Sequence, residues 1–141
     1  MRKVPDHYFD QSAVVPFRLR EGAPEIVLIT SRKKRRWVVP KGVKELDLSP
    51  EESAAKEALE EAGIEGTVLS GAIGTYEYDK WGGVCRVEVF AMSVENVHDA
   101  WLESYRDREW LSVEEASGRV EEPELKRMIR SLPTLIRERD F

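Results

Sequence analysis

One cysteine, two histidines and no long apolar run: each scarcity in this sequence removes a class of explanation. A lone Cys85 cannot close an internal disulfide, and with only His7 and His98 beside it no Cys/His set has zinc-ligand spacing. A reducing compartment fits these facts, and the cytoplasm is the expected location. Nowhere do about 18 apolar residues follow one another. The opening Met1-Arg2-Lys3-Val4-Pro5-Asp6-His7 turns polar at once, so neither a membrane span nor a secretory leader is expected. No sign of charge dominates: 22 Lys and Arg face 27 Asp and Glu, a net of −5. That balance makes nucleic acid an unlikely partner for the surface as a whole. What remains is 141 residues, 41% of them hydrophobic, enough for one domain whose core needs no staple.

Strand-like and helix-like segments alternate along the whole chain, which reads as α/β or α+β. Ser12 to Arg20 and Glu25 to Thr30 form a strand pair across Glu21-Gly22-Ala23-Pro24, and Trp37-Val38-Val39 reads as a short third strand. Further strands are expected from Gly66 through Tyr78 and from Val84 to Val94, joined by a turn at Asp79 to Gly83. Ser49, Pro50 and Glu52 make a capping box for a helix over 50–62 that Gly63 ends. A short helix is expected from Val113 to Ser117, after the strand-like Glu109-Trp110-Leu111. A last helix, from about Pro123 to Leu132, carries the stripe Leu125, Met128, Ile129 and Leu132.

The helix over 50–62 breaks a rule. Carboxylates belong in the first turn, yet Glu57, Glu60 and Glu61 crowd the C-terminal half, where the macrodipole is negative. At about 100° per residue the three fall within an arc of about 100° and can converge. This is either a solvated acidic face or a site for a hard, oxygen-seeking cation, Mg²⁺ or Mn²⁺, whose coordination is shared with phosphates. Just upstream stand Arg32, Lys33, Lys34, Arg35 and Arg36, then Lys41 and Lys44, a supply of positive charge suited to a polyphosphate.

From Gly42 to Ile64 the chain resembles the Nudix box of pyrophosphohydrolases, G-x5-E-x7-R-E-U-x-E-E-x-G-U, where U is bulky and aliphatic. Gly42, Glu57, Glu60, Glu61, Gly63 and Ile64 fall on its fixed positions. Three positions depart from it: Leu48 for the first Glu, Lys56 for the Arg, and Ala58 for an aliphatic. Loss of both Leu48 and Lys56 partners removes one structural contact, which Asp47 or Glu45 can restore by pairing with Lys56. The flanks Trp37 to Gly42 and Tyr105 to Ala116 are similar to the diphosphoinositol polyphosphate and diadenosine polyphosphate hydrolase branch.

The resemblance implies a Nudix α/β/α sandwich with a central mixed sheet, filling 1–141 as one domain. It also implies Mg²⁺ or Mn²⁺ held by Glu57, Glu60, Glu61 and the Gly42 carbonyl, with Glu60 or Glu61 as general base. Glu88 is the candidate for a further ligand or base, with Glu103 behind it. Arg32, Lys33, Arg35, Arg36, Lys41 and Lys44 are the expected grip on a small polyphosphate substrate, in a monomer or homodimer. Tyr76, Tyr78, Trp81 and Trp101 are candidates to stack on a base. The rival readings are a hydrolase of RNA 5′ ends or nucleoside triphosphates, and a Nudix-fold binding module without turnover.

Overall fold

In a computed structural model that describes residues 4–139, eight strands form one mixed sheet. They are β1 (Asp10–Arg20), β2 (Ala23–Thr30), β3 (Trp37–Val38), β4 (Lys41–Val43), β5 (Ile64–Val68), β6 (Gly74–Lys80), β7 (Gly83–Val97) and β8 (Arg108–Ser112). The main path runs β3-β2-β1-β7-β5, with β4 on β1, β6 on β7 and β8 on β2. Only β1 and β7 pair in parallel, and the other pairings are antiparallel. β1 is central, and its run from Gln11 to Phe17 is buried on both faces, as its dense apolar sequence requires.

Helix α1 (Pro50–Glu57) covers one face, over Val14, Val27, Ile29, Phe90 and Met92. Helices α2 (Val113–Arg119) and α3 (Pro123–Glu138) cover the other, over Ala13, Val15, Phe17, Ile26 and Leu28. This is the α/β/α arrangement with a mixed central sheet.

Local chemistry accounts for several differences from the sequence reading. The two loops expected as four- and five-residue links shrink to two-residue turns, Glu21-Gly22 and Trp81-Gly82, all four residues at positive φ. That is the turn geometry whose twist matches antiparallel strands. The strand expected from Gly66 through Tyr78 breaks at Leu69–Ile73, where Gly71 takes φ 85°, so β5 and β6 pair with different stretches of β7. α3 runs past Leu132 and through Pro133 to Glu138, its apolar stripe extending to the buried Ile136.

Candidate active site

Helix α1 starts as its sequence dictates. The Ser49 hydroxyl accepts from the Glu52 N–H at 3.1 Å, and the Glu52 carboxylate accepts from the Ser49 N–H at 2.8 Å. It does not continue as a straight helix to residue 62. The α-helical turns end at Glu57, and Ala58–Ala62 form a π turn closed by Gly63 at φ 66°. Such turns recur at functional sites.

The following loop explains both the π turn and the misplaced carboxylates. The Glu103 N–H donates to the Glu60 carbonyl at 3.0 Å, the Trp101 indole N–H to Glu61 at 3.0 Å, and the His98 N–H to Gly63 at 2.8 Å. The Arg108 guanidinium donates to the Ala62 carbonyl at 2.7 Å. Four carbonyls that a helix end leaves orphaned are thus each satisfied from residues 98–108. Arg106 and Arg108 also supply the positive charge that the helix C-terminus favours, at the place where the sequence put acids.

Within this frame Glu57 and Glu61 meet. Their carboxylates share a hydrogen bond, and Glu57 is pushed up to about 8, first by burial and then by the negative charge of Glu61 and Glu60. Burial also raises Glu61, against the pull of Arg106 and of the Lys41 N–H, which donates to Glu61 Oε1 at 3.2 Å. Gly42 lies under the pair: a Cβ there would run into the Glu57 carboxylate, with both oxygens at 2.6 Å. Ser12 and Gly42 are register partners on β1 and β4, which fixes that glycine beneath the helix.

Glu103 stands at the margin, and its charge raises both Glu57 and Glu61. Arg106 holds it, donating to Glu103 Oε1 from Nε at 3.1 Å and from NH2 at 2.8 Å, while NH2 lies 4.0 Å from Glu61 Oε2. Among the described residues no three Cys, His, Asp or Glu side chains already stand in ligand geometry. The centre is a carboxylate pair with Glu60 and Glu103 beside it. An all-oxygen donor set, like charges pressed together and a glycine that leaves room for them suit a hard divalent cation.

Beside the pair opens a cleft of about 510 Å³, lined by Ser31, Arg32, Arg36, Val38, Val39, Lys41, Glu61, Lys80 and Arg106. Arg36 is braced by Glu121 at 3.5 Å and Glu122 at 3.2 Å. The Lys41 ammonium donates to the Tyr78 hydroxyl at 3.0 Å and to Gln11 at 3.4 Å, and burial holds it below the ordinary lysine range.

Residues 9–134 match the NUDIX domain. The chain belongs to the Nudix family. It is 33% identical to Nudix hydrolase 16, mitochondrial, of Arabidopsis thaliana over 72% of this chain and 61% of that protein. It is 30% identical to diphosphoinositol polyphosphate phosphohydrolase 3-alpha of Mus musculus over 79% of this chain and 69% of that protein. The chain spans about half to three fifths of the length of the Arabidopsis relatives it matches. In fold it is similar to a C. elegans Ap4A hydrolase binary complex, with a TM-score of 0.78 at 21% identity, covering 92% of this chain and 98% of that one. No helix among the described residues is long and apolar enough to cross a membrane.

The Nudix-box residues do not all gather. Glu57, Glu61 and Gly42 come together, whereas Glu60 lines a separate cavity with Leu59, His98 and Trp101. The wider π turn keeps Glu61 against Glu57 and carries Glu60 aside. Of the cations, Arg32, Arg36 and Lys41 line the cleft, but Lys33 and Arg35 project into solvent. Lys44 and Glu88 share another cavity with Asp10, Gln11, Pro50 and Arg86. The box departures are repaired in the way one alternative anticipated: Lys56 Nζ pairs with Glu45 Oε2 at 2.7 Å.

Sequence reasoning missed Ser31, Lys80 and Arg106 in the cleft. Lys80 was counted as part of a turn, and Arg106 carried no signal beyond lying in the segment that resembles the family. The capping box Ser112/Glu115 at the start of α2 was equally unread, although S-x-x-E was visible there.

Proposed function

We propose that this chain is a divalent-cation-dependent pyrophosphohydrolase that takes hold of its substrate through phosphates alone. The observation that carries this reading is the lining of the cleft: five cations, Arg32, Arg36, Lys41, Lys80 and Arg106, beside Glu61, and no aromatic ring. The rings that a base would stack on are engaged elsewhere. Trp37 lies under Arg119, Trp81 under Lys80, Trp101 under Arg108 and Trp110 under Arg18, at 3.9 to 5.1 Å from charge to ring centre. The Tyr78 ring faces Lys41 at 4.6 Å, and Tyr76 is 4% exposed. Stacking is worth about 1–3 kcal/mol per base, and this cleft lacks the means to collect it. A diphosphoinositol polyphosphate is therefore favoured over a diadenosine polyphosphate.

Glu57, Glu61 and the Gly42 carbonyl are the residues that would hold Mg²⁺ or Mn²⁺. When bound there, the ion supplies Lewis acidity toward a phosphoryl oxygen and acidifies the attacking water. Of the two carboxylates considered for proton transfer, Glu61 borders the cleft and Glu60 does not, so the reading gives the water's proton to Glu61. Arg32 and Lys80 bind phosphate oxygens, with Arg36 held ready by Glu122. The Lys56 to Glu45 ion pair argues against a binding module that has lost turnover, because the contact missing from the box has a replacement.

The test is turnover of a diphosphoinositol polyphosphate, a diadenosine polyphosphate and ATP with Mg²⁺ or Mn²⁺, alongside Glu57→Gln. The expected result is metal-dependent cleavage, lost in Glu57→Gln, with kcat/KM for the base-free substrate at least about tenfold above the others, which corresponds to about 1.4 kcal/mol. A preference for the adenine substrates would overturn the base-blind reading. Absence of turnover in folded protein would overturn the hydrolase itself.

A further inference from the structure

The loop between β7 and β8 touches the carboxylate centre, and one buried side chain in it has no role in the reading above beyond its positive charge. Arg106 is 7% exposed. Its NH1 donates to the Thr30 carbonyl at 3.0 Å, and its Nε and NH2 both reach Glu103 Oε1. The same loop is fastened to the end of β2 by the Thr30 N–H donating to the Asp107 carbonyl at 3.0 Å and the Asp107 N–H donating to Thr30 Oγ1 at 2.9 Å. Arg106 therefore joins three things: the strand end that leads into the basic loop, the Glu103 carboxylate, and Glu61 across 4.0 Å.

A carboxylate on a surface loop ordinarily turns to water. Glu103 does not, because a planar guanidinium with a fixed fork of donors takes its oxygen and is itself locked by a backbone carbonyl. The backbone of Glu103 is pinned as well, its N–H on the Glu60 carbonyl. Both ends of that residue are thus set relative to the helix that carries Glu57 and Glu61.

We propose that Arg106 is a positioning residue that recruits Glu103 to the Glu57/Glu61 centre as its further carboxylate, so that Arg106 acts through Glu103 and not as a phosphate ligand. The inference rests on the function proposed above. It moves the role sought for Glu88, which lines a different cavity, to Glu103.

The experiment compares Arg106→Gln, Glu103→Gln and the double variant, with Arg106→Lys as the conservative control. The readouts are Mn²⁺ affinity by electron paramagnetic resonance titration of the free protein, and kcat and KM with the substrate that ranks first for wild type. Loss of a group that orients a metal ligand costs about 10- to 100-fold. Each single variant is expected to lower Mn²⁺ affinity and kcat by at least about tenfold with KM within about twofold, and the double variant to be no worse than the weaker single. Arg106→Lys is expected to restore part of the loss.

A rise in KM with kcat and Mn²⁺ affinity unchanged would make Arg106 a phosphate ligand and overturn the proposal, as would additive effects in the double variant. Should Arg106→Gln fail to fold, unchanged Mn²⁺ affinity in Glu103→Gln overturns it equally. Failure of the proposed function looks different, because wild type itself would then show neither turnover nor Mn²⁺ binding sensitive to Glu57→Gln.

Discussion

Replacing Gly42 by alanine tests the carboxylate centre with one added methyl. β4 asks nothing special of the glycine's backbone, since Gly42 is absent from the residues at positive φ. The added Cβ would meet both Glu57 carboxylate oxygens at 2.6 Å, about 1 Å inside an ordinary contact distance. The neighbour is the far end of a flexible side chain, so Glu57 swings away and the strand stays where it is. A misplacement of about 1 Å in a group that must position reactants costs about 100-fold in rate, which is about 2.7 kcal/mol of activation free energy. The expected outcome is a kcat about 100-fold below wild type, weakened Mn²⁺ binding, and a thermal midpoint within a few degrees of wild type. The assay is steady-state turnover beside a thermal melt of the same preparation. Gly42→Ala protein that melts normally and keeps more than about half its activity would refute the view that Gly42 exists to seat Glu57.

Two other perturbations follow from the same geometry. Glu57, raised from 4.5 to about 8, keeps in the folded state a proton that the unfolded chain has released, so metal-free stability is greatest below about 4.5 and declines as the pH rises toward about 8. Saturating Mg²⁺ should flatten that decline by replacing the proton, and Glu57→Gln should reduce it without metal; a flat metal-free melting profile across the window would contradict this. In the cleft, Arg32→Ala and Lys80→Ala should each raise KM about tenfold, as expected for a hydrogen bond to a charged group, whereas Lys33→Ala and Arg35→Ala should leave it unchanged. The reverse pattern in steady-state kinetics would mean that the basic run, and not the cleft, holds the substrate.

Local signals carried far in this chain. The capping box at Ser49 and Glu52, the left-handed Gly63 and the apolar stripe of α3 are read from residues a few positions apart, and each is present. The spacing of Gly42, Glu57, Glu60 and Glu61 marked the family, and the sandwich followed from it. Charge near charge in sequence was a poorer guide. Arg32 and Arg36 reach the cleft while Lys33 and Arg35, their neighbours, point to solvent, because a loop alternates its side chains without regard to their usefulness.

The sequence by itself determined that a cation-seeking set of carboxylates sits at the wrong end of a helix, since helix propensity, caps and dipole are local physics. The tertiary structure decided which carboxylates meet and what makes the arrangement tolerable. A loop some 40 residues away covers the orphaned carbonyls, opens the π turn that separates Glu60 from Glu61, and delivers Arg106 and Glu103. Those contacts arise from the pairing of β7 and β8 with their neighbours in the sheet, and no window along the chain contains both partners.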